Sequence, residues 1–218
     1  MTTSLLPLAL SWLAYFCIHS LLASIASKQF IAERWPGGMP AYRLAFNLVA
    51  VVLLIVPFGL TLTWSGPWLW QWQGLWLWLS LVLSLLAVAG FVWSLKYYDM
   101  GEFLGLRQLS GRITSVDDQE HFHLSPLHRW VRHPWYFFAL LLIWTRDMHA
   151  AMLLSAIMMT LYFYIGSLFE ERKLIRYHGE QYRRYRELVP GLIPLPWKFL
   201  RKEQMRELLS GKGSVPFS

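Results

Sequence analysis

Long apolar stretches alternate with polar segments along the chain. A helix that crosses a membrane needs about 20 mostly apolar residues. Three stretches have this length, and each predicts one membrane-spanning helix: 5–25, 42–63 and 75–95. The N-terminal half is therefore expected to consist of three transmembrane helices.

A fourth apolar stretch, 134–169, is too long for one span and slightly short for two. The polar run 145–149 interrupts it, which predicts a tight helical hairpin with arms at 134–144 and 150–169. Pro134 fits the first turn of the first arm, where a missing N–H has no cost. The pattern thus predicts an all-α integral membrane protein with five transmembrane helices.

The segment after the hairpin has an amphipathic helical pattern. Its apolar residues recur at steps of three and four: Leu174, Tyr177, Tyr182, Tyr185 and Leu188. Gly179 predicts a break between two short helices, and Pro190 ends the second. We expect a single domain, 1–218, built from three spans (1–95), a cytoplasmic loop (96–133), the hairpin (134–169), a cytoplasmic tail (170–206) and a flexible end (207–218).

Composition agrees with the membrane interpretation. Hydrophobic residues make up 56% of the 218 residues and charged residues 15%, whereas soluble domains contain about 25% charged residues. The first apolar run has no basic residue before Leu5 and is followed by further spans, so it predicts a helix and not a signal peptide. The single cysteine, Cys17, excludes an intrachain disulfide and a cysteine-type zinc site.

Lys and Arg residues are distributed unevenly over the polar segments. Successive segments, from the N-terminus to the tail, carry 0, 3, 0, 5, 1 and 11 of them. Cytoplasmic loops are enriched in these residues, so the alternation predicts an outside N-terminus and a cytoplasmic C-terminus in a membrane of the bacterial inner type. The net charge of +7 then suits anionic lipid. No nucleic-acid recognition motif accompanies it.

Polar residues gather in four clusters on the predicted cytoplasmic side. The clusters are 97–99 with Arg107 and Gln108; His121, His123 and His128; Arg132 and His133 with Tyr136; and Glu170 with Glu171. The hairpin brings the last two clusters together, because its arms begin and end on the same side. Polar groups that converge on an apolar cavity are typical of a binding or active site.

Three of these features also have other interpretations. The three clustered histidines match no standard ligand spacing, and neither HExxH nor CxxC is present, so we expect no metal site. His19, in the first span, is either an axial haem ligand or a histidine hydrogen-bonded to a neighbour. Glu170 and Glu171, followed by two basic residues, also fit an ordinary charged helix end.

The C-terminal half resembles the superfamily of isoprenylcysteine carboxyl methyltransferases and phospholipid methyltransferases. The resemblance covers about 120–196. It rests on RHPWY (132–136), a hairpin, the acidic pair at 170–171, and the stretch LIRYHGEQYRRYRELVPGLIP. The N-terminal half is similar to the membrane methanethiol S-methyltransferase and NnrU-like branch, through IHSLLAS (18–24), AYRLAFN (41–47) and LGLRQL (104–109).

The resemblance implies a membrane methyltransferase that uses S-adenosylmethionine (SAM). In the family, the RHPxY segment, the residues ahead of it and the first glutamate of the pair enclose the methyl donor, and the tail covers it. Carried over to this chain, the cofactor-binding residues are His123, His128, His133, Pro134, Trp135, Tyr136 and Glu170. Glu170 suits the ammonium group of SAM, and aromatic rings suit its sulfonium.

Departures from the family pattern bear on the acceptor. A glycine after RHPxYx is replaced by Phe138, a tyrosine five residues before the histidine by His128, and the arginine that holds a prenylcysteine carboxylate by Gly166. The last of these changes argues against a prenylcysteine carboxylate and favours a small or lipophilic thiol. The predicted substrate-binding residues are Arg107, Gln108 and Tyr98, and the candidate bases are Glu171 and His133.

Three rival functions differ from thiol methylation. The alternatives are an isoprenylcysteine carboxyl or phospholipid methyltransferase, an NADPH-dependent sterol-type reductase, and a haem-binding NnrU-like accessory protein that uses His19. The acidic pair favours SAM over the phosphate of NADPH. The expected partners are a small or lipophilic acceptor and membrane lipid, with no nucleic acid.

Overall fold

The computed structural model describes residues 5–63, 66–111 and 124–210, with the side chains of 209 and 210 left out. Its α-helices are α1 (Leu6–Ala23), α2 (Ile25–Arg34), α3 (Met39–Thr63), α4 (Gly74–Ser94), α5 (Met100–Leu104), α6 (Leu106–Ser110), α7 (Pro134–Trp144), α8 (Ala150–Leu188) and α9 (Lys202–Ser210). Two short strands are β1 (Trp68–Trp70) and β2 (Met148–His149), and 3₁₀ helices lie at Pro36–Gly38, Leu95–Tyr97 and Pro126–Arg129.

Four helices of the described residues are long and apolar enough to cross a membrane: α1, α3, α4 and α8. Large apolar side chains point outward from them; Leu75 is 79% and Trp78 67% exposed. This indicates an integral membrane protein, as the sequence predicts. The count of five spans stays a prediction, because the fifth apolar helix, α7, has 11 residues. That is roughly 16 Å, about half of a bilayer core.

The tip of the hairpin forms contacts that the sequence analysis missed. Strands β1 and β2 pair antiparallel, with Trp68 opposite His149. The Asp147 carboxylate accepts a hydrogen bond from the backbone N–H of Trp72 at 2.9 Å, and the indole of Trp72 donates to the Arg146 carbonyl at 3.2 Å. Strands of two or three residues are too short to show a period-2 pattern.

Four of the described α-helices were not predicted, namely α2, α9, and α5 and α6 in the expected loop 96–133. Helix α2 begins directly after Ser24, whose hydroxyl accepts from the backbone N–H of Ser27 and caps the helix; the sequence analysis assigned this segment to a loop. Helix α9 includes 207–210, which were expected to be flexible. Leu208 of α9 is 8% exposed and packs into a hydrophobic cluster, and this burial orders the segment.

Helix α8 continues far beyond the apolar part of the hairpin. Its backbone is non-helical at Gly179, with φ 54° and ψ −128°, where the sequence predicts a break. A positive φ of this size is readily adopted by glycine. The helix resumes and ends at Leu188, two residues before Pro190.

The chain forms two compact units. The first contains the described residues of 1–80, 98–118 and 146–160, and the second those of 81–97, 119–145 and 161–218. In the first unit, Trp12 is buried and its indole donates to the Ser155 hydroxyl at 2.9 Å, which shares a 2.6 Å hydrogen bond with Thr61. This satisfies polar groups that would otherwise lie unpaired among apolar side chains.

In the second unit, helix α7 contacts α4 with one face and α8 with another. The indole of Trp135 donates to the Ser94 hydroxyl at 2.8 Å. On the other face, the rings of Tyr136 and Phe163 stack with centroids 4.9 Å apart. Phe138 is 8% exposed and lies against Gly90, where a Cβ would stand 2.6 Å from its ring. Phe138 stands where the family motif has a glycine. Its ring thus fills a notch left by Gly90 of α4.

This notch yields a stability prediction. Gly90→Ala forces a methyl group into the Phe138 ring, so we expect it to lower the free energy of unfolding by about 1–3 kcal/mol, the usual cost of overpacking. Adding Phe138→Leu should recover most of the loss. Thermal unfolding in detergent measures both changes.

Gly59→Ala in α3 is the matched control, because a Cβ at Gly59 meets nothing within 4 Å among the described residues. It should be neutral or stabilising, since alanine is the better helix former. Equal stability of the Gly90 and Gly59 variants would show that the notch does not exist.

Candidate functional site

The segment Arg132-His133-Pro134 enters α7 and is fixed at its backbone. The N–H of Arg132 donates to the Pro190 carbonyl at 2.9 Å, and that of His133 to the Gly191 carbonyl at 3.1 Å. Pro134 occupies the first turn of α7, as predicted. The start of α7 is thereby held against the chain that follows α8.

Two adjacent carboxylates of α8 lie opposite this segment in different environments. Successive residues of a helix point about 100° apart. The side chain of Glu171 is 5% exposed and that of Glu170 is 41% exposed. One carboxylate is therefore part of the interior, and the other remains accessible to a ligand.

Glu171 is held by two cationic side chains through one oxygen. Its Oε1 accepts from Nε and Nη2 of Arg132 at 2.8 and 2.7 Å. The same oxygen lies 3.1 Å from Nε2 of His133. A buried carboxylate is stable only with such compensation.

His133 lies between the two carboxylates. Its Nδ1 is 3.3 Å from Oε2 of Glu170, while its Nε2 faces Glu171. Both ring nitrogens donate only in the imidazolium form. Burial alone would lower the pKa of His133, but the hydrogen bonds and charges of Glu170 and Glu171 outweigh it and raise the pKa above its usual value. The ring therefore holds its proton more firmly than a free histidine does.

An aromatic column borders the accessible carboxylate. The rings of His133 and Tyr136 stack at 5.4 Å and 13°, and those of Tyr136 and Phe163 at 4.9 Å and 12°. The Tyr136 hydroxyl lies 3.5 Å from Oε2 of Glu170. A Cβ at Gly166 would meet that hydroxyl at 3.9 Å. A carboxylate beside aromatic faces is an environment that attracts organic cations.

The tail packs over the chain that precedes Arg132. Its buried residues form one cluster with Leu124: Tyr182, Tyr185, Val189, Leu200 and Leu208. The Tyr185 hydroxyl donates to the backbone carbonyl of His128 at 2.7 Å. The ring of His128 itself caps the 3₁₀ helix Pro126–Arg129 through Ser125, with Nδ1 2.8 Å from its hydroxyl.

Other predicted site residues have neighbours of their own or lie outside the part of the chain that the structure describes. Trp135 points to Phe91 and Ser94 of α4, whereas Tyr136 points to α8. His123 lies outside the described residues, as does His121. Arg107, Gln108 and Tyr98 belong to the first unit, where Arg107 pairs with Asp99 at 2.5 Å.

The N-terminal motifs meet each other within the first unit. Asn47 and Arg43 donate to the Phe103 carbonyl at 3.0 and 3.1 Å. Gly105 has φ 89°, and a Cβ there would stand 2.6 Å from the backbone nitrogen of Leu44. AYRLAFN and LGLRQL therefore form one packed contact, which accounts for the glycine in the second motif.

Among the residues that the structure describes, no three His, Cys, Asp or Glu side chains come together as metal ligands. His19 packs against the rings of Tyr15 and Phe46, with centroids 5.5 and 5.0 Å away.

Sequence analysis missed the extent of the Arg132 contacts. Besides Glu171, its Nη1 donates to the carbonyls of Arg186, at 2.9 Å, and of Val189. In the sequence, only the RHP motif pointed to Arg132. Its contacts with backbone carbonyls could not be predicted, because every residue type has such a carbonyl.

Comparison with known proteins shows three extended similarities. The chain is 30% identical over 186 residues to the methanethiol S-methyltransferase of Pseudomonas deceptionensis, covering 81% of this chain and 67% of that protein. It is 32% and 28% identical over 187 and 194 residues to methanethiol S-methyltransferases 2 and 1 of Bradyrhizobium diazoefficiens, covering 81% and 84% of this chain.

The chain belongs to the methanethiol S-methyltransferase family. This confirms the resemblance to membrane methyltransferases of the NnrU-like branch. The alignments cover 64%, 67% and 68% of the lengths of those three relatives. No protein-family model matches the chain. No solved structure matches it.

Proposed function

We propose that this protein is a membrane-embedded methyltransferase that transfers a methyl group from SAM to a small thiol of the methanethiol type. The similarity to relatives named methanethiol S-methyltransferase over four fifths of the chain carries this proposal. Two structural features support it: apolar helices of membrane-spanning length, and an accessible carboxylate beside stacked aromatic rings.

Glu170 is the proposed partner of the donor's ammonium group. Its carboxylate is close to His133 and Tyr136 and remains 41% exposed, so a ligand can reach it. The hydroxyl edge of Tyr136 is proposed to face the sulfonium, because the faces of its ring stack on His133 and Phe163. The other residues implied by the resemblance, namely His123, His128, Pro134 and Trp135, stay proposals for the donor site.

When bound, SAM supplies an electrophilic methyl group. A bond forms between the acceptor sulfur and the methyl carbon, the bond from that carbon to the sulfonium breaks, and S-adenosylhomocysteine leaves. Such a transfer depends mainly on alignment of the reactants and exclusion of water. The protein's contribution is therefore to hold Glu170 and Tyr136 in place.

Glu171 and His133 are better suited to positioning than to base catalysis. Glu171 Oε1 already faces Arg132 and His133, and both nitrogens of His133 face carboxylates. We propose that the thiol loses its proton to solvent before transfer, since the thiolate is the nucleophile.

The acceptor site is proposed to suit a small thiol because of Gly166. Where prenylcysteine enzymes carry an arginine for the substrate carboxylate, this chain has a glycine, at which a Cβ would stand 3.9 Å from the Tyr136 hydroxyl. Arg107, Gln108 and Tyr98 remain the proposed substrate-binding residues, and Arg107 is the cation available to a carboxylate acceptor.

We also propose five spans with the N-terminus outside and the C-terminus in the cytoplasm. The alternation of Lys and Arg counts supports this orientation. A reporter fused after Ser218 should be active only in the cytoplasm, and one inserted after Gly66 only outside. The reverse pattern would overturn the orientation.

The function predicts a preference among acceptors. Purified protein with SAM should methylate methanethiol or another small thiol much faster than a farnesylcysteine analogue, because Gly166 stands where prenylcysteine enzymes carry an arginine for the carboxylate. Transfer of a labelled methyl group to each acceptor measures this. Efficient carboxyl methylation without thiol activity would contradict the proposal and point to Arg107.

The donor site predicts a charge effect at Glu170. Glu170→Gln keeps the size of the side chain but removes its charge, so SAM affinity should fall by roughly 10- to 100-fold. We place the loss at the low end for a charge pair because the side chain is 41% exposed and partly screened. Calorimetric titration with SAM measures it.

Glu180→Gln is the control, since Glu180 is an exposed carboxylate of the same helix that pairs with Arg183. It should bind SAM like the parent. If Glu170→Gln, correctly folded, binds SAM within about threefold of the parent, a factor worth only ~0.6 kcal/mol, the donor-site assignment fails.

A further inference from the structure

Arg132 joins two parts of helix α8 that are far apart along the chain. Its Nε and Nη2 hold Glu171, and its Nη1 holds the carbonyls of Arg186 and Val189. The side chain is 12% exposed. All three guanidinium nitrogens thus have partners.

The carbonyls it holds lie at the end of α8, beside Leu188. The last carbonyls of a helix lack partners within the helix, and a cation at this end is also favoured by the helix dipole. Gly191 makes room for the contact, because a Cβ there would stand 3.2 Å from Nη2 of Arg132.

One guanidinium reaches both places only because α8 is not straight. In a continuous helix, Glu171 and Arg186 would be roughly 22 Å apart, which exceeds the span of one arginine side chain. The non-helical backbone of Gly179 turns the chain back between them. The break in α8 and the contacts of Arg132 are therefore parts of one arrangement.

The charges along this arrangement alternate. Arg132 faces Glu171, Glu171 faces His133, and His133 faces Glu170. Tyr136 stacks on the imidazole, and Tyr182 of the tail feels the charges of both carboxylates, of Arg132 and of Arg186. Glu171 thus shares the imidazolium with Glu170.

We propose that Arg132 is a positioning residue of the methyl-donor site. By holding Glu171 ionised, Arg132 keeps the His133 imidazolium shared between Glu171 and Glu170. Glu170 then remains available to the donor's ammonium group. This inference rests on the proposed function. Without Arg132, the buried Glu171 loses one of its two cationic partners and is protonated more readily. The imidazolium then pairs with Glu170 alone and competes with the donor.

The test compares SAM affinity, by calorimetry, among the parent, Arg132→Gln, Arg132→Lys and Arg129→Gln. Arg132→Gln should weaken SAM binding roughly tenfold, the middle of the range for residues of one ionic network. Arg132→Lys should recover most of this affinity, because a cation again faces Glu171. It should not recover the full thermal stability, since lysine lacks the planar fork that caps two carbonyls.

Arg129→Gln is the matched control for tail attachment. Arg129 donates to the Leu200 carbonyl of the tail at 2.9 Å. The Arg129→Gln substitution should lower the unfolding temperature and leave SAM affinity unchanged. A purely structural role of Arg132 would instead make affinity follow stability in all three variants.

The pH profile gives a second readout. The ratio of the Arg132→Gln to the parent dissociation constant should fall towards one as the pH rises above the pKa of His133, because a neutral ring no longer competes for Glu170. A pH-independent ratio, or an Arg132→Lys variant as weak as Arg132→Gln, overturns the inference. A parent that binds no SAM overturns the proposed function with it.

Discussion

The carboxylate of Glu171 is buried, and much of the surrounding structure serves to compensate its charge. A buried ion without partners costs several kcal/mol, so Arg132 and His133 must both reach it. Arg132 reaches it from the residue before α7, whose backbone is fixed by Pro190 and Gly191. The position of the tail, the start of α7 and the middle of α8 therefore depend on one another.

The same constraint makes the two adjacent glutamates chemically different. Glu171 is paired internally with Arg132 and His133, whereas Glu170 faces His133 and keeps an accessible face. The buried pair of Glu171 and His133 thus holds the accessible carboxylate of Glu170 in a fixed place next to Tyr136. A site for a cationic methyl donor requires this combination of rigidity and access.

Much of this architecture could be predicted because it depends on local patterns. The limits of α7 follow from Pro134 and the polar run at 145–149, and the break in α8 follows from Gly179. Apolar periodicity and length identify the long helices. The pairing of His133 with the acidic pair also follows, once the hairpin is expected.

The remaining features depend on contacts without a residue signature. The two-residue strand β2 and the carbonyl partners of Arg132 involve backbone atoms, which every residue possesses. Trp135 and Tyr136 are adjacent aromatic residues of one motif, yet α7 turns them towards different helices. The fit of Phe138 against Gly90 joins residues that are distant in sequence, so neither residue alone predicts it.

A structure of the protein in lipid with bound S-adenosylhomocysteine would test the central claim most directly. We expect the amino group of the ligand within hydrogen-bonding distance of the Glu170 carboxylate, with Glu171 still paired to Arg132 and His133. A ligand bound away from Glu170, or one whose amino group displaces Arg132 from Glu171, would contradict this account.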